Sequence, residues 1–272
     1  MSPVLAVASK EFRDGLRNRW FISITLIFLI LSVGLTYFGS VASGSLGVAS
    51  LSTTIASLSS LAVFIIPLIA LLLCYDSFVG EQEGGTLLLL LTYPLSKTEL
   101  LLGKFIGQGG ITALATLLGF GASALVMIAD SYSMDVIVAF TRFICSAILL
   151  GWVFISMAYL VSLSVSEKSK AAGLTLIIWF LFVLVFDLAL LAVLVGVEDL
   201  LNQETLVTLM MLNPADVFRL VNLVALGGEN ANGVLSIAMS SNLSPTTLML
   251  VLTLWVIAPL LASNQIFKLK HF

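Results

Sequence analysis

Apolar residues run along this chain in long blocks almost free of charge, not in the alternating or one-in-three patterns of a soluble fold. A hydrocarbon core about 30 Å thick needs about 20 apolar residues in helical form. Six blocks approach or exceed that length: residues 20–38, 58–75, 100–128, 143–163, 174–195 and 248–267. The first could be mistaken for a secretory leader, with a weak cleavage site after Ala42. Its 19 residues exceed the usual apolar stretch of about 7 to 15, so it reads as a retained span. The pattern predicts an all-α, polytopic integral membrane protein, one domain over residues 1–272 with six transmembrane helices.

The links between blocks are uneven. Over residues 4–19, Leu5, Ala8, Phe12, Leu16 and Trp20 recur at helical spacing while Lys10, Arg13, Asp14 and Arg17 fill other faces. This suits an amphipathic elbow helix in the cytoplasmic interface. Residues 39–57 are rich in Ser and Gly and read as a flexible loop or frayed helix end. The link 196–247, long enough to carry structure of its own, reads as a periplasmic segment. In it Asn213 can cap a helix that starts at Pro214 and ends at Gly227 and Gly228. Val217, Leu220, Val221 and Val224 give that helix an apolar stripe, for the outer mouth of the bundle or for a partner.

Composition sharpens the class. Of 272 residues, 60% are hydrophobic and 10% charged, where soluble domains carry about 25% charge. That excludes an ordinary soluble enzyme. With a net charge of −3 and no basic domain, nucleic acid is excluded as a main partner. Cys74 and Cys145 form neither a disulfide framework nor a CxxC pair. Lys10, Arg13, Arg17, Arg19, Lys97, Lys104, Lys168, Lys170, Lys268 and Lys270 all fall on one side of a six-span arrangement; only Arg142 and Arg219 fall on the other. Basic flanks stay in the cytoplasm, so both termini are expected there.

The stretch 76–94, between spans two and three, carries the most information. Glu81, Gln82, Glu83, Gly84, Gly85 and Thr86 lead into five leucines at 87–91, too few to span. One reading is a short cytoplasmic helix whose leucines pack on the bundle while its acidic head faces water and fits a groove on a cytosolic protein. The other is a solvated loop.

The run GEQEGGTLLLLLTYPLSKTELLLGKF, after a second span and before a glycine-bearing third, resembles the permeases of ABC-2 type transporters. The segments KEFRDGLRNRW and NPADVFRL extend the resemblance over the whole chain, toward permeases that serve maturation of the copper sites of nitrous oxide reductase. The resemblance implies that 76–94 holds a coupling helix, with Glu81, Gln82, Glu83, Gly84, Gly85 and Thr86 at the contact with a cytoplasmic ATP-binding subunit. It also implies a homodimer in the bacterial inner membrane and a periplasmic subunit, for which Pro214, Val217, Phe218, Leu220 and Val221 are the candidate dock. A phosphate-binding Walker loop needs GK followed by Ser or Thr, whereas Gly103 and Lys104 are followed by Phe105. The chain is thus expected to be a non-catalytic subunit without a cofactor, with ATP and magnesium held by its partner.

Asp187 is the one acid well inside a span, with no basic residue beside it in sequence. Such groups are costly in lipid and face the bundle or a watery cavity. It is either a pathway or dimer-seam residue, or a protonated structural acid. In a rival class, an ion-coupled secondary transporter or channel, it would be the ion site. Met127, Met134, Met157, Met210, Met211, Met239 and Met249 read as gap-filling core residues before metal ligands. His271, the single histidine, cannot found a hydrolase or zinc site. Gly103, Gly107, Gly110, Gly119 and Gly121 read as positions of close helix packing.

Overall fold

The computed structural model describes residues 2–39, 48–196, 203–225 and 244–270. Gly227, Gly228, Met239, Ala42, His271 and the side chain of Trp20, all invoked above, lie outside this set. Among the described residues there are twelve α-helices, one π-helical turn and no strand. Six helices are long and apolar enough to cross a membrane, or up to seven if one bent pair counts as a span.

Helix α1 (Pro3–Arg17) begins with proline at its first position, where the missing N–H is harmless, and lies along α6 (Lys97–Asp130). Three glycines of α6 set that approach. A Cβ on Gly103 would stand 2.6 Å from Val7 Cβ, and one on Gly107 would stand 2.6 Å from Glu11 Cβ and 2.7 Å from the Ala8 carbonyl. On Gly110 it would press Phe12 at 3.2 Å. Further along, Gly119 admits Phe28 of α2 (Arg19–Phe38), the first span. Gly121 departs from the expectation, with nothing within 4 Å of its would-be Cβ. The apolar stripe of α1 also divides. Ala8 is buried and Phe12 packs inward, while Leu5 and Leu16 are exposed.

Helix α3 (Leu51–Cys74) starts well inside the stretch expected to be loop, because Ser50 caps it by accepting from Thr53 N–H. Short helices α4 (Val79–Glu83) and α5 (Thr86–Leu91) follow. Helix α6 opens on a reciprocal capping box, Ser96 with Glu99. Helix α7 (Met134–Ser164) is the core of the bundle, with Phe143, Leu150, Phe154, Ala158 and Tyr159 buried. Span five is composite: α8 (Lys168–Phe180), the π turn Leu181–Val185 and α9 (Phe186–Gly196).

After span five, α10 (Gln203–Met211) and α11 (Pro214–Val224) meet at 117° in a helical hairpin. Asn213 caps α11 as the sequence suggested, its side chain accepting from Ala215 N–H at 3.0 Å. The proposed dock on this helix needs correcting. Pro214, Val217, Phe218, Leu220 and Val221 are all buried within the chain, where α11 packs on α3, α7 and α12 (Pro245–Leu269). A strongly amphipathic helix beside an apolar bundle buries its stripe there, and of that stripe only Val224, at the end of the helix, is half-buried.

Candidate functional site

The expected coupling segment forms a head between spans two and three, and four other elements hold it. Its entrance is anchored by Ser162 of α7, whose Oγ accepts from Phe78 N–H at 3.1 Å and Val79 N–H at 3.0 Å. The Phe78 ring is buried between Tyr159 and Phe267, edge-on to both at about 5 Å. Because the start of α4 makes these contacts, α4 cannot shift without disturbing α7 or α12.

The acidic head does not simply face water. Glu81 Oε1 accepts from Lys104 Nζ at 2.7 Å, and the same ammonium donates to Glu11 Oε1 of α1 at 3.2 Å. Lys104 is 2% exposed, so one buried cation answers two carboxylates from two other helices. Gln108, one turn on, donates to Glu11 and accepts from Ser77 and Tyr159. Burial raises the pKa of Glu11, but the Lys104 and Lys10 charges and the bonds from Gln108 and Lys104 outweigh it, leaving the group below its ordinary 4.5. Glu81 Oε2 is buried with no hydrogen-bond partner.

Gln82 and Glu83 are also engaged. Lys270, just past α12, donates to Gln82 Oε1 at 2.9 Å and to the carbonyls of Leu163 and Val165 at 3.2 and 3.4 Å, at the end of α7. Burial lowers the pKa of this ammonium. Glu83 Oε1 accepts from the backbone N–H of Lys168 at 2.7 Å, and Lys168 Nζ pairs with Asp76 at 2.8 Å, so the start of span five is tied to both flanks of α4. All three polar side chains of the head therefore bind their own chain.

What the head presents outward is the next few residues. Gly85 stands at φ +70°, a left-handed turn that suits glycine, and it redirects the chain into α5. Gly84, Gly85 and Thr86 are exposed, and of the five leucines only Leu87 is buried. Leu88 (54% exposed), Leu89 (64%) and Tyr93 (69%) form an apolar tip. The sequence reading sent these leucines to the bundle and the carboxylates to the surface. The leucines divide: Leu87 is buried and Leu90 and Leu91 pack half-buried against the bundle, while Leu88 and Leu89 face out; of the two glutamates, Glu81 is drawn inward by Lys104 and Glu83 stays exposed.

Asp187 also gains a partner. Its Oδ2 accepts from Arg219 Nη1 of α11 at 2.6 Å, and Arg219 Nη1 also donates to Asp216 Oδ1 at 3.0 Å. Asn213 Nδ2 completes the cluster, reaching Asp216 Oδ2 at 3.1 Å and the Phe182 carbonyl at 2.9 Å, inside the π turn. A π turn misplaces backbone carbonyls from the i, i+4 ladder, so one is available there to a side chain. The carboxylate is paired, contrary to its isolation in sequence, and pins span five to the α10–α11 hairpin. Of the methionines, Met127, Met157 and Met210 are buried in the core.

Comparison with known proteins agrees with this architecture. A family model described as "ABC-2 family transporter protein" matches residues 5–271. A curated protein of Stutzerimonas stutzeri named "Probable ABC transporter permease protein NosY" is 52% identical over 272 residues, covering 98% of this chain and 99% of that one. Its counterpart of the same name in Pseudomonas aeruginosa is 51% identical, with 98% of each chain covered. A partner that binds ATP is implied by membership of such a family. The six apolar helices, the head between spans two and three and the full-length similarity together place the chain in the ABC-2 family of transporter proteins, as a multi-pass membrane subunit of an ABC transporter homologous to NosY.

Proposed function

We propose that this permease couples ATP hydrolysis in a cytoplasmic, NosF-like subunit to events on the outer face of the bacterial inner membrane. In this reading two copies form the membrane core, both termini are cytoplasmic and a NosD-like subunit binds on the periplasmic side. The complex serves copper-site maturation of nitrous oxide reductase, by transport or by mechanical signalling. ATP and magnesium belong to the partner, and this chain supplies no cofactor. The observation that carries the reading is the head: an exposed apolar tip at Leu88, Leu89 and Tyr93 mounted on a segment whose polar side chains bond α6, the start of α8 and Lys270 just past α12, with Lys104 of α6 shared with Glu11 of α1. A surface built for docking alone would not need those inward ties.

The six coupling residues divide by role. Gly84, Gly85 and Thr86, with the apolar tip, face the ATPase. Glu81, Gln82 and Glu83 position α4 and pass its displacement inward. Asp187 stays at the pathway side as a structural ion pair, and its commitment to Arg219 counts against an ion site of a secondary transporter. Co-purification tests the reading. Leu88→Glu with Leu89→Glu should cut the amount of ATPase bound to the purified permease about tenfold or more, since an apolar contact is replaced by two desolvated charges. Undiminished binding would overturn the docking surface.

A further inference from the structure

Span six touches the head at one end and the α10–α11 hairpin at the other. At the inner end, Phe267 meets the Phe78 ring at 5.2 Å and Lys270 Nζ holds Gln82 at 2.9 Å. Phe78 and Gln82 are four residues apart, so they share one side of α4, and the grip extends over a full turn. The lysine is itself held in place: Lys97 Nζ donates to the carbonyls of Lys268 and Lys270 at 3.4 and 2.7 Å, and Thr98 donates to Asn264 at 2.9 Å. Near the middle of the helix, Trp255 Nε1 donates to the Met211 carbonyl at 3.0 Å, at the bend of the hairpin, and toward the outer end Leu248 and Leu252 are buried, α12 packing there on α11. Between Trp255 and Lys270 the helix is continuous through Pro259, a distance of about 22 Å at 1.5 Å per residue.

Helix α7 also reaches both places, through Ser162 and through Ser146 with Asn222. It is, however, enclosed on nearly every side, and a displacement would disturb packing around the whole bundle. Span six is peripheral. Leu250, Leu254, Ile257 and Leu261 face outward, so it can slide along one packed face, the cheap form of helix shear.

We propose that span six is the rod that carries displacement of α4 to the outer hairpin, and that Lys270 is the positioning residue that grips α4 through Gln82. The inference rests on the reading that an ATP-driven partner moves the α4–α5 head. Its readout is the bend of the hairpin, where Leu212 is 55% exposed.

The experiment uses the full chain with its ATP-binding subunit in proteoliposomes, carrying Cys145→Ser and Leu212→Cys, and measures the rate of maleimide labelling with and without ATP and magnesium. ATP should change that rate by about fivefold with Lys270 present, within the ordinary range of coupling between sites. Lys270→Met should remove the response while leaving the ATPase bound, and Lys270→Arg should restore it, which a purely packing role would not require. Gln82→Leu should reproduce Lys270→Met, and the double variant should be no worse than either. An undiminished ATP response in Lys270→Met with the partner bound overturns the inference, as does the lack of any response when Lys270 is intact. Failure of the docking reading appears elsewhere, as ATPase bound undiminished to the Leu88→Glu, Leu89→Glu permease.

Discussion

Lys104 and Arg219 are each one cation set between two carboxylates, and in both cases at least one partner comes from a distant part of the chain. Lys104 bonds Glu11 across 93 positions, and Arg219 bonds Asp187 across 32. Sequence reading took both cations for topology signals and Asp187 for a solitary acid. No local pattern links charges so far apart, and only the fold brings them together. Removing Arg219 leaves the buried Asp216 facing the partly exposed Asp187 without a counter-charge, and breaking a buried pair such as Arg219 with Asp216 costs about 3 kcal/mol. Arg219→Met should therefore lower thermal stability in detergent severely. Asp187→Asn should be nearly neutral, because Arg219 keeps a one-to-one partner in Asp216, and equal loss in the two variants would contradict this account. Glu11 adds a pH dependence. Its folded pKa lies below the ordinary 4.5, so its stabilisation is complete above that value and is lost as pH falls below it. Unfolding curves of Glu11→Gln should accordingly fall less steeply in the acid range than those of the parent, while the parent is the more stable at neutral pH.

The helices themselves were legible because each span is a block of apolar residues, and Asn213 caps α11 as its type suggests; the caps Ser50, Ser96 with Glu99 and Ser133 start three spans earlier than the apolar blocks alone indicate. What each face touches was less so. The leucines of α5 look alike in sequence, yet they divide, Leu87 buried, Leu90 and Leu91 half-buried against the bundle and Leu88 and Leu89 exposed, since a helix of six residues can turn only one side to the bundle. The glycines of α6 show how local space decides an outcome that composition leaves open. Gly107→Val would drive a side chain into the α1 backbone at Ala8, where little can yield, and should cost about 1 to 3 kcal/mol while loosening α1 from the bundle. Gly121→Ala, in a helix of the same span with nothing near its Cβ, should instead stabilise by up to about 1 kcal/mol through helix propensity. Melting temperatures of the two variants that move in the same direction would contradict the packing described for α6.

For the whole molecule, the remaining question is which end of the bundle meets ATP. Positive-inside reasoning counts charges that stay at the water interface. Lys104 and Arg219 do not qualify, because their charges are used inside the protein. Nine basic residues then remain on the side of the head and a single one, Arg142, on the other. The asymmetry grows once the paired cations are set aside, since the discarded charges include one of the two that opposed it. The exposed tip at Leu88, Leu89 and Tyr93 lies on the side with the nine, the side where the proposed reading puts the ATPase. In a Cys145→Ser background, Leu89→Cys should resist a membrane-impermeant maleimide in intact cells and react once the membrane is opened. Tyr132→Cys, in the short link between spans three and four and 78% exposed, should react from outside. The opposite labelling would put the head on the wrong face for an ATP-driven partner. Coupling through α4 would then have no energy source within reach, however well its side chains are arranged.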